Sequence, residues 1–176
     1  TDESIAAAMH FAPAVRVMSQ PNRGCAAARN AGVRQTDGEL LAFLDADDQW
    51  TPEKLQLQWA ALAADPALDM VFGRVETFDD AGQSAPQIFD GIHAGAMLIR
   101  RASFLHAGEF DENLRIGEFL EWYARTRELH LTSRMLPEIV MRRRLHERNL
   151  TRAAAASRAA YLGILRTALH RRKGAS

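Results

Sequence analysis

The fold is decided by residues 40–48, which read LLAFLDADD. Leu40 to Leu44 is an unbroken apolar run, typical of a buried parallel strand, and Asp45, Asp47 and Asp48 follow it directly. In open α/β sheets, ligands bind beyond the carboxyl ends of the strands. Carboxylates crowded there repel one another, and a divalent cation such as Mg²⁺ or Mn²⁺ relieves that repulsion. The stretch therefore predicts a metal-dependent site or, as an alternative, a solvated acidic turn before the next helix.

On both sides of this stretch, short apolar runs alternate with helical patterns. Strands are predicted at residues 15–18, 40–44, 70–78, 96–99 and 139–143. Helices are predicted at residues 25–33, 101–107 and 118–129, and from Pro52 onward with Thr51 as N-cap. In that last helix, Leu55, Trp59 and Leu62 recur at helical spacing and are expected on its buried face. Alternating strands and helices favour an α/β layered domain.

The composition is that of a soluble globular chain. The 176 residues fit one domain, and 47% are hydrophobic and 25% charged. No apolar run approaches the roughly 20 residues needed to cross a bilayer, and no secretory signal pattern opens the chain. Cys25 is the only cysteine, so an internal disulfide is excluded, and we expect a reducing, cytoplasmic location.

Positive charge is concentrated at the C-terminal end. Between Arg142 and Lys173, ten arginines and lysines stand against Glu147 alone, although the whole chain has zero net charge. Residues 151–176 are expected to form a basic helix with leucines on one face. This helix could contact an anionic membrane surface, so that the protein would be membrane-associated, or it could pack on the domain through its leucines. No nucleic-acid partner is expected.

Several segments, in this order, closely resemble the family 2 glycosyltransferases, which share the Rossmann-like GT-A fold. They are QPNRG (20–24), ARNAG (28–32), FLDADD (43–48), WTPEKL (50–55), GAMLIRR (95–101) and GEFDE (108–112). The resemblance covers roughly residues 1–151, and the combination is specific although each piece alone is weak. It implies a mixed α/β sheet flanked by helices, a nucleotide-sugar donor and a carbohydrate or lipid-linked acceptor.

The resemblance also assigns residues to the donor site. Asp45 and Asp47 match the family's Asp-x-Asp motif, in which the second acid binds Mg²⁺ or Mn²⁺ and the first faces the ribose or the metal. Arg29 matches an arginine beside the nucleotide diphosphate, although a surface position on a helix is the alternative. His146 matches a C-terminal segment that folds back toward the donor, with an ordinary surface histidine as the alternative. Two further positions match the turn before the helix that carries Arg29: Asn22 and Gly24.

The chain departs from the family pattern at its start. The family begins with two strands that build the base-binding half of the donor site, and here Thr1-Asp2-Glu3-Ser4 resembles the tail of the second motif. We therefore expect residues 1–150 to form a partial GT-A domain that lacks one or two N-terminal βα units. The missing units would leave apolar surface uncovered, which favours a homodimer or aggregation.

The second departure concerns the general base. The family has Gly-Glu-Asp before a helix near the acceptor, and the Asp is its base, whereas this chain reads Gly117-Glu118-Phe119. Glu118 and Glu121 are the candidates to replace it, although Glu118 points elsewhere because a helix turns ~100° per residue. Phe119 is expected at the acceptor side of the cleft, or, as the alternative, in the core with Tyr123.

The first functional expectation is an inverting, metal-dependent transferase that moves a sugar from a nucleotide diphosphate to an acceptor hydroxyl. The alternative from another class is a catalytically impaired GT-A-like binding module or fragment, which the loss of the usual aspartate favours. A nucleotidyltransferase with a similar sheet is a third, weaker reading.

Overall fold

The computed structural model describes residues 4–11, 13–82 and 85–146. The basic helix expected at residues 151–176 lies outside the described residues. No helix within the described ranges is long and apolar enough to span a membrane. The helices are α1 (Ser4–Met9), α2 (Gly24–Arg34), α3 (Lys54–Ala64), α4 (Arg101–Ala107) and α5 (Glu118–Glu128). The strands are β1 (Leu40–Ala42), β2 (Gln49–Trp50), β3 (Met70–Phe78), β4 (Ile88–Asp90), β5 (Leu98–Arg100) and β6 (Ser133–Arg144).

The sheet is mixed, and β3 lies at its centre. The strands follow the order β1-β5-β3-β6-β2, and β4 also pairs with β3. The long pair β3 and β6 is parallel, and the other described pairs are antiparallel. Strands β4 and β5 pair with different parts of the same edge of β3, and the loop of residues 91–97 connects them. The expected α/β class with a mixed sheet is confirmed.

Helices cover both faces of the sheet. On one face α2, α4 and α5 pack on an aromatic-rich core, in which Phe104 and Trp122 are stacked with ring centroids 5.3 Å apart. On the other face Leu62 of α3 packs against Val71 and Leu98. Because side chains of a strand alternate between faces, neighbouring residues of β3 and β5 contribute to both cores.

Several local predictions are wrong. Residues 15–18 are exposed and irregular, because this apolar run has no neighbouring strand within the described residues to pair with. The predicted strand at 40–44 ends at Ala42, and its described neighbour, β5, is antiparallel rather than parallel. An apolar run indicates a buried strand, but it does not indicate whether the neighbouring strand is parallel or antiparallel. Helix α3 begins at Lys54, and Pro52 lies in the preceding turn.

The buried face of α3 is partly polar, and the prediction holds for Leu62 but is wrong for Leu55 and Trp59. Leu55 and Trp59 are 46% and 59% exposed, whereas Lys54 and Gln58 are fully buried at 0%. Gln58 Nε2 donates to the carbonyl oxygens of Val71 and Ala96, at 3.0 and 2.7 Å. Buried carbonyls need donors, and the irregular segment before β5 takes them from this helix. The apolar spacing therefore identified Leu62 correctly and missed the two buried polar residues.

Candidate active site

A cleft of about 930 Å³ opens where β1 ends. It is bounded by α2, by the loop that follows β1, by the loop between β4 and β5, by the start of α5 and by the end of β6. The side chains with polar or ring chemistry that line it include Arg29, Asp45, Asp47, His93, Glu118, Phe119 and His146. Residues more than 100 positions apart in the sequence therefore meet at one opening.

Arg29 is the central cation of this cleft. Its Nη2 donates to Asp45 Oδ1 at 2.6 Å, and its Nη1 donates to Glu118 Oε1 at 2.7 Å. The Arg29 side chain is 10% exposed, so it is not the surface helix residue considered as an alternative. Burial lowers the pKa of Arg29, but Asp45 and Glu118 raise it, with a net rise above the ordinary value. Arg29 is therefore charged and held in place by two carboxylates.

Asp47 is the most accessible carboxylate of the motif, with 45% of its side chain exposed. Burial raises its pKa, but hydrogen bonds from His146 and from its own backbone amide, together with the charge of Arg143, lower the pKa below its usual value. Asp47 is therefore ionised at neutral pH. Burial raises the pKa of Asp48 to about 6, and repulsion from Asp47 and Asp45 adds to that rise. Asp48 is consequently less acidic than Asp47, and it accepts the backbone N–H of Arg144 at 3.0 Å.

Strand β6 brings His146 to the acidic motif. His146 Nε2 lies 2.9 Å from Asp47 Oδ2. Arg144 holds the end of β6 against the acidic motif, because its Nε donates to the backbone oxygen of Asp47 at 3.1 Å. His146 thus lines the cleft and contacts the acidic motif.

Asn22 and Gly24 shape the start of α2. The backbone N–H of Gly24 donates to Asn22 Oδ1 at 3.1 Å, and Gly24 has a φ of +90°, a conformation that favours glycine. Neither belongs to the described residues that line the cleft. They orient the helix that carries Arg29.

The structure separates the two candidate bases. Glu118 lines the cleft at the first position of α5. Glu121 pairs with Arg125 Nε at 3.1 Å, and it is absent from the cleft lining formed by the described residues. Phe119 is 6% exposed and stacks on Tyr123, with ring centroids 6.2 Å apart. Phe119 therefore belongs to the core, as one of the two readings expected, while its edge also reaches the cleft.

His93 is the main lining residue that the sequence reasoning missed. It lies between two glycines in GIHAG (91–95), directly before the family-like segment GAMLIRR. The sequence offers one signal for this residue, a polar side chain between two glycines. Glycines allow close packing of the backbone, and such packing would fix the direction of the His93 side chain.

The described residues do not enclose a metal ion by themselves. Within the described ranges, no group of three or more His, Cys, Asp and Glu side chains could enclose a metal ion. Mg²⁺ and Mn²⁺ commonly bind through one or two carboxylates and complete their coordination with substrate phosphates and water. The ionised Asp47 and the adjacent Asp45 fit that donor set.

Solved structures with this arrangement of elements identify the architecture. The chain is similar to S. aureus TarS 1–349 in complex with UDP-GlcNAc, with a TM-score of 0.67, 17% identity, and coverage of 88% of this chain and 49% of that one. It is also similar to the mannosyltransferase PcManGT from Pyrobaculum calidifontis in complex with GDP-Man and Mn²⁺, with a TM-score of 0.62, 17% identity, and coverage of 85% of this chain and 46% of that one. The fold is therefore that of the GT-A transferases.

The model of glycosyl transferase family 2 matches residues 1–133, and the chain belongs to this family. Among its relatives, an uncharacterized glycosyltransferase of Nostoc sp. is 33% identical over 84 residues, and the match covers 44% of this chain and 26% of that protein. The succinoglycan biosynthesis protein ExoW of Rhizobium meliloti is 29% identical over 124 residues, and the match covers 60% of this chain and 39% of that protein. The chain thus spans less than half the length of these relatives.

Proposed function

We propose that this chain forms the catalytic cleft of an enzyme that transfers a sugar from a nucleotide diphosphate to an acceptor hydroxyl, with inversion at the anomeric carbon. The observation that carries the proposal is the pairing of Arg29 with Asp45 and Glu118 beside the exposed carboxylate of Asp47. The guanidinium of Arg29 and the carboxylates of Asp45 and Asp47, close to the end of β1, suit a diphosphate that is bound to a metal ion. The complexes of the two similar structures with UDP-GlcNAc and GDP-Man support the same class of donor.

Asp47 and Asp45 would hold Mg²⁺ or Mn²⁺ together with the donor phosphates. When bound, such a cation stabilises the departing diphosphate as a Lewis acid. His146 keeps the carboxylate of Asp47 ionised and oriented through the 2.9 Å contact. Arg29 adds a second positive charge, and its planar guanidinium suits bidentate contact with phosphate oxygens.

Glu118 is the base that the geometry favours. It lines the cleft, and its carboxylate is occupied by Arg29 at 2.7 Å. Donor phosphates would compete with Glu118 for the guanidinium, and an Arg29 engaged by phosphate would release Glu118 to accept the proton of the acceptor hydroxyl. Binding of the donor would in this way prepare the base.

The second candidate function is a GT-A module that binds a nucleotide sugar or a partner without turnover. The burial of Phe119 in the core favours it, because an apolar ring occupies the position at which the family places its base.

We further propose that the acceptor is a carbohydrate or a lipid-linked molecule, that the protein forms a homodimer, and that residues 151–176 contact a membrane surface. The exposed apolar side chains near the N-terminal end are consistent with a covering partner: Ile5, Met9, Phe11, Val15, Val17 and Met18.

Turnover of nucleotide sugars tests the two candidate functions. The full-length protein is incubated with UDP-GlcNAc or GDP-mannose, Mn²⁺ and simple sugar acceptors, and release of UDP or GDP is measured. Release that requires Mn²⁺ supports the transferase. Binding of UDP or GDP without release favours the binding module, and the absence of both binding and release contradicts both candidates.

A further inference from the structure

One cleft residue, His93, has no part in the proposed chemistry. It lies in the loop of residues 91–97 between β4 and β5 and lines the same cleft as Asp45. Its ring packs beside Phe119, with centroids 6.3 Å apart and an interplanar angle of 44°. An imidazole therefore stands next to an apolar ring at the edge of the cleft.

A backbone hydrogen bond fixes the tautomer of this imidazole. His93 Nδ1 accepts the N–H of Gly95 at 3.1 Å, so in the neutral ring the proton lies on Nε2. Burial lowers the pKa of His93 to about 4, a change that Asp45 opposes and that Arg143 and Arg29 reinforce. His93 is consequently a neutral hydrogen-bond donor at physiological pH. With Nδ1 occupied and Nε2 protonated, it has no site from which to act as a base.

The loop that carries His93 is held rigidly from behind. The carbonyl oxygens of residues 95–97 accept hydrogen bonds, in chain order, from Trp50 Nε1 at 2.8 Å, Gln58 Nε2 at 2.7 Å and Lys54 Nζ at 3.1 Å. Three consecutive carbonyls are thus tied to β2 and α3. A donor group on so fixed a backbone is held in position before any ligand binds, which lowers the cost of binding.

Close packing at two glycines adds to this rigidity. A Cβ at Gly91 would lie 2.3 Å from the backbone oxygen of Gly73. At Gly95 it would lie 2.7 Å from Met141 Sδ and 3.2 Å from His93 Nδ1. Gly91 therefore allows a close approach of two backbone segments that a larger residue would prevent, and a larger residue at Gly95 would displace the end of the Met141 side chain. His93 lies between these two glycines.

We propose that His93 is a specificity-determining residue whose Nε2–H donates a hydrogen bond to a hydroxyl of a sugar in the cleft. This inference rests on the proposed function and deepens it. A neutral donor suits a hydroxyl better than a phosphate, which favours cations. The neighbouring Phe119 ring offers apolar contact to the C–H groups of a sugar. Both the transferred sugar and a sugar acceptor present such hydroxyls.

Two substitutions of similar size separate this role from a structural one. His93→Asn keeps an acceptor near Nδ1 for the N–H of Gly95 but places no donor at the position of Nε2. His93→Gln places an amide N–H near the position of Nε2 but gives up the acceptor. A purely structural residue would tolerate Asn better than Gln, whereas a sugar-binding residue would tolerate Gln better than Asn.

The first measurement is calorimetry on the full-length protein with Mn²⁺, comparing UDP-GlcNAc with UDP and GDP-mannose with GDP. The second is saturation-transfer NMR with free glucose, galactose, mannose and GlcNAc in the presence of UDP or GDP and Mn²⁺. We expect His93→Asn to weaken, by about tenfold, either the binding of the nucleotide sugars relative to UDP and GDP or the binding of the free sugars. Binding of UDP and GDP themselves should be unchanged. The His93→Gln variant should bind sugars about as well as wild type. A loss in the first measurement assigns His93 to the transferred sugar, and a loss in the second assigns it to the acceptor.

Two outcomes overturn the inference alone. One is binding of UDP or GDP with no loss of sugar binding in His93→Asn by either measurement. The other is a ring ¹⁵N NMR spectrum of the wild-type protein that shows the Nδ1–H tautomer of His93 at neutral pH, a measurement that does not depend on the stability of any variant. A wild-type protein that binds none of the four nucleotides removes the proposed function, and this inference with it.

Discussion

At the scale of single residues, Asp47 combines an accessible carboxylate with an imidazole that holds it ionised. We predict that Asp47→Asn weakens Mn²⁺-dependent binding of UDP or GDP at least about tenfold, because an amide is a poorer ligand for a hard cation. Calorimetry on the full-length protein measures the change. Asp37→Asn, the same substitution at an exposed position before β1, is the matched control and should leave binding unaltered. Undiminished binding by Asp47→Asn would show that the metal assignment is wrong.

Glu118 is the residue on which the assignment of the base depends. If it takes the acceptor proton, Glu118→Gln should lower the transfer rate by about 10²- to 10⁴-fold, the usual worth of general-base catalysis. Initial rates of nucleotide release at saturating donor measure this loss. Glu128→Gln, at the other end of α5, is the control and should retain the wild-type rate.

Phe119→Asp distinguishes the two candidate functions further. With Glu118 as the base, this substitution should raise transfer little and should destabilise the core, because Phe119 packs against Tyr123 and Phe72. A gain of about 10²-fold or more would instead place the catalytic position at residue 119. Stable proteins without donor turnover, wild type included, would favour the binding module.

At the scale of secondary-structure elements, the motifs predicted the site better than periodicity predicted the packing. The placement of Asp45 and Asp47 at the end of a buried strand followed from a local pattern. The ion pair of Arg29 with Glu118 joins residues 89 positions apart, and the contact of His146 with Asp47 joins residues 99 apart. Such pairings depend on how the elements pack, which no spacing in a single sequence specifies.

Helix α3 shows why its buried face could be read only in part from apolar residues. Apolar spacing selects Leu55, Trp59 and Leu62, and of these the helix buries Leu62 alone. It also buries Lys54 and Gln58, because the loop before β5 presents carbonyls that need donors. The need for hydrogen-bond donors on α3 comes from the loop before β5. The sequence of the helix alone does not contain the position of that loop.

The buried amine of Lys54 leads to a prediction about stability and pH. Burial lowers its pKa from 10.5 to about 7. Between these values the unfolded chain binds a proton that the folded chain does not, so the free energy of unfolding rises with pH across this window. Below about pH 7 both states are protonated and the slope disappears.

The comparison of wild type with Lys54→Met tests this directly. The difference in the free energy of unfolding should change by about 1 kcal/mol per pH unit between pH 7 and pH 10, in favour of wild type as the pH rises. Urea denaturation at several pH values measures it. Leu55→Met, on the exposed side of the same helix, should give a difference that does not vary with pH. A constant difference for Lys54→Met would show that the amine titrates normally in the folded protein.

At the scale of the whole molecule, residues 151–176 carry a basic amphipathic pattern that lies outside the described residues. If this segment contacts an anionic membrane, the protein should sediment with vesicles containing anionic lipid in a salt-sensitive manner, since each basic residue near the headgroups contributes about 1 kcal/mol. Truncation after Ser157 should remove the binding. A protein that stays in the supernatant at low salt would support packing of this segment on the domain instead.

The contact between His146 and Asp47 sets a length limit on this tail. Residue 151 follows His146 by five positions, and a fully extended chain covers at most about 3.6 Å per residue, or about 18 Å. The backbone of residue 151 must therefore lie within that distance of the backbone of His146, whose imidazole contacts Asp47. If this segment rests on a lipid surface, the short connection holds the cleft near that surface. An acceptor anchored in the same surface then needs to extend only a few sugar units to reach Asp47.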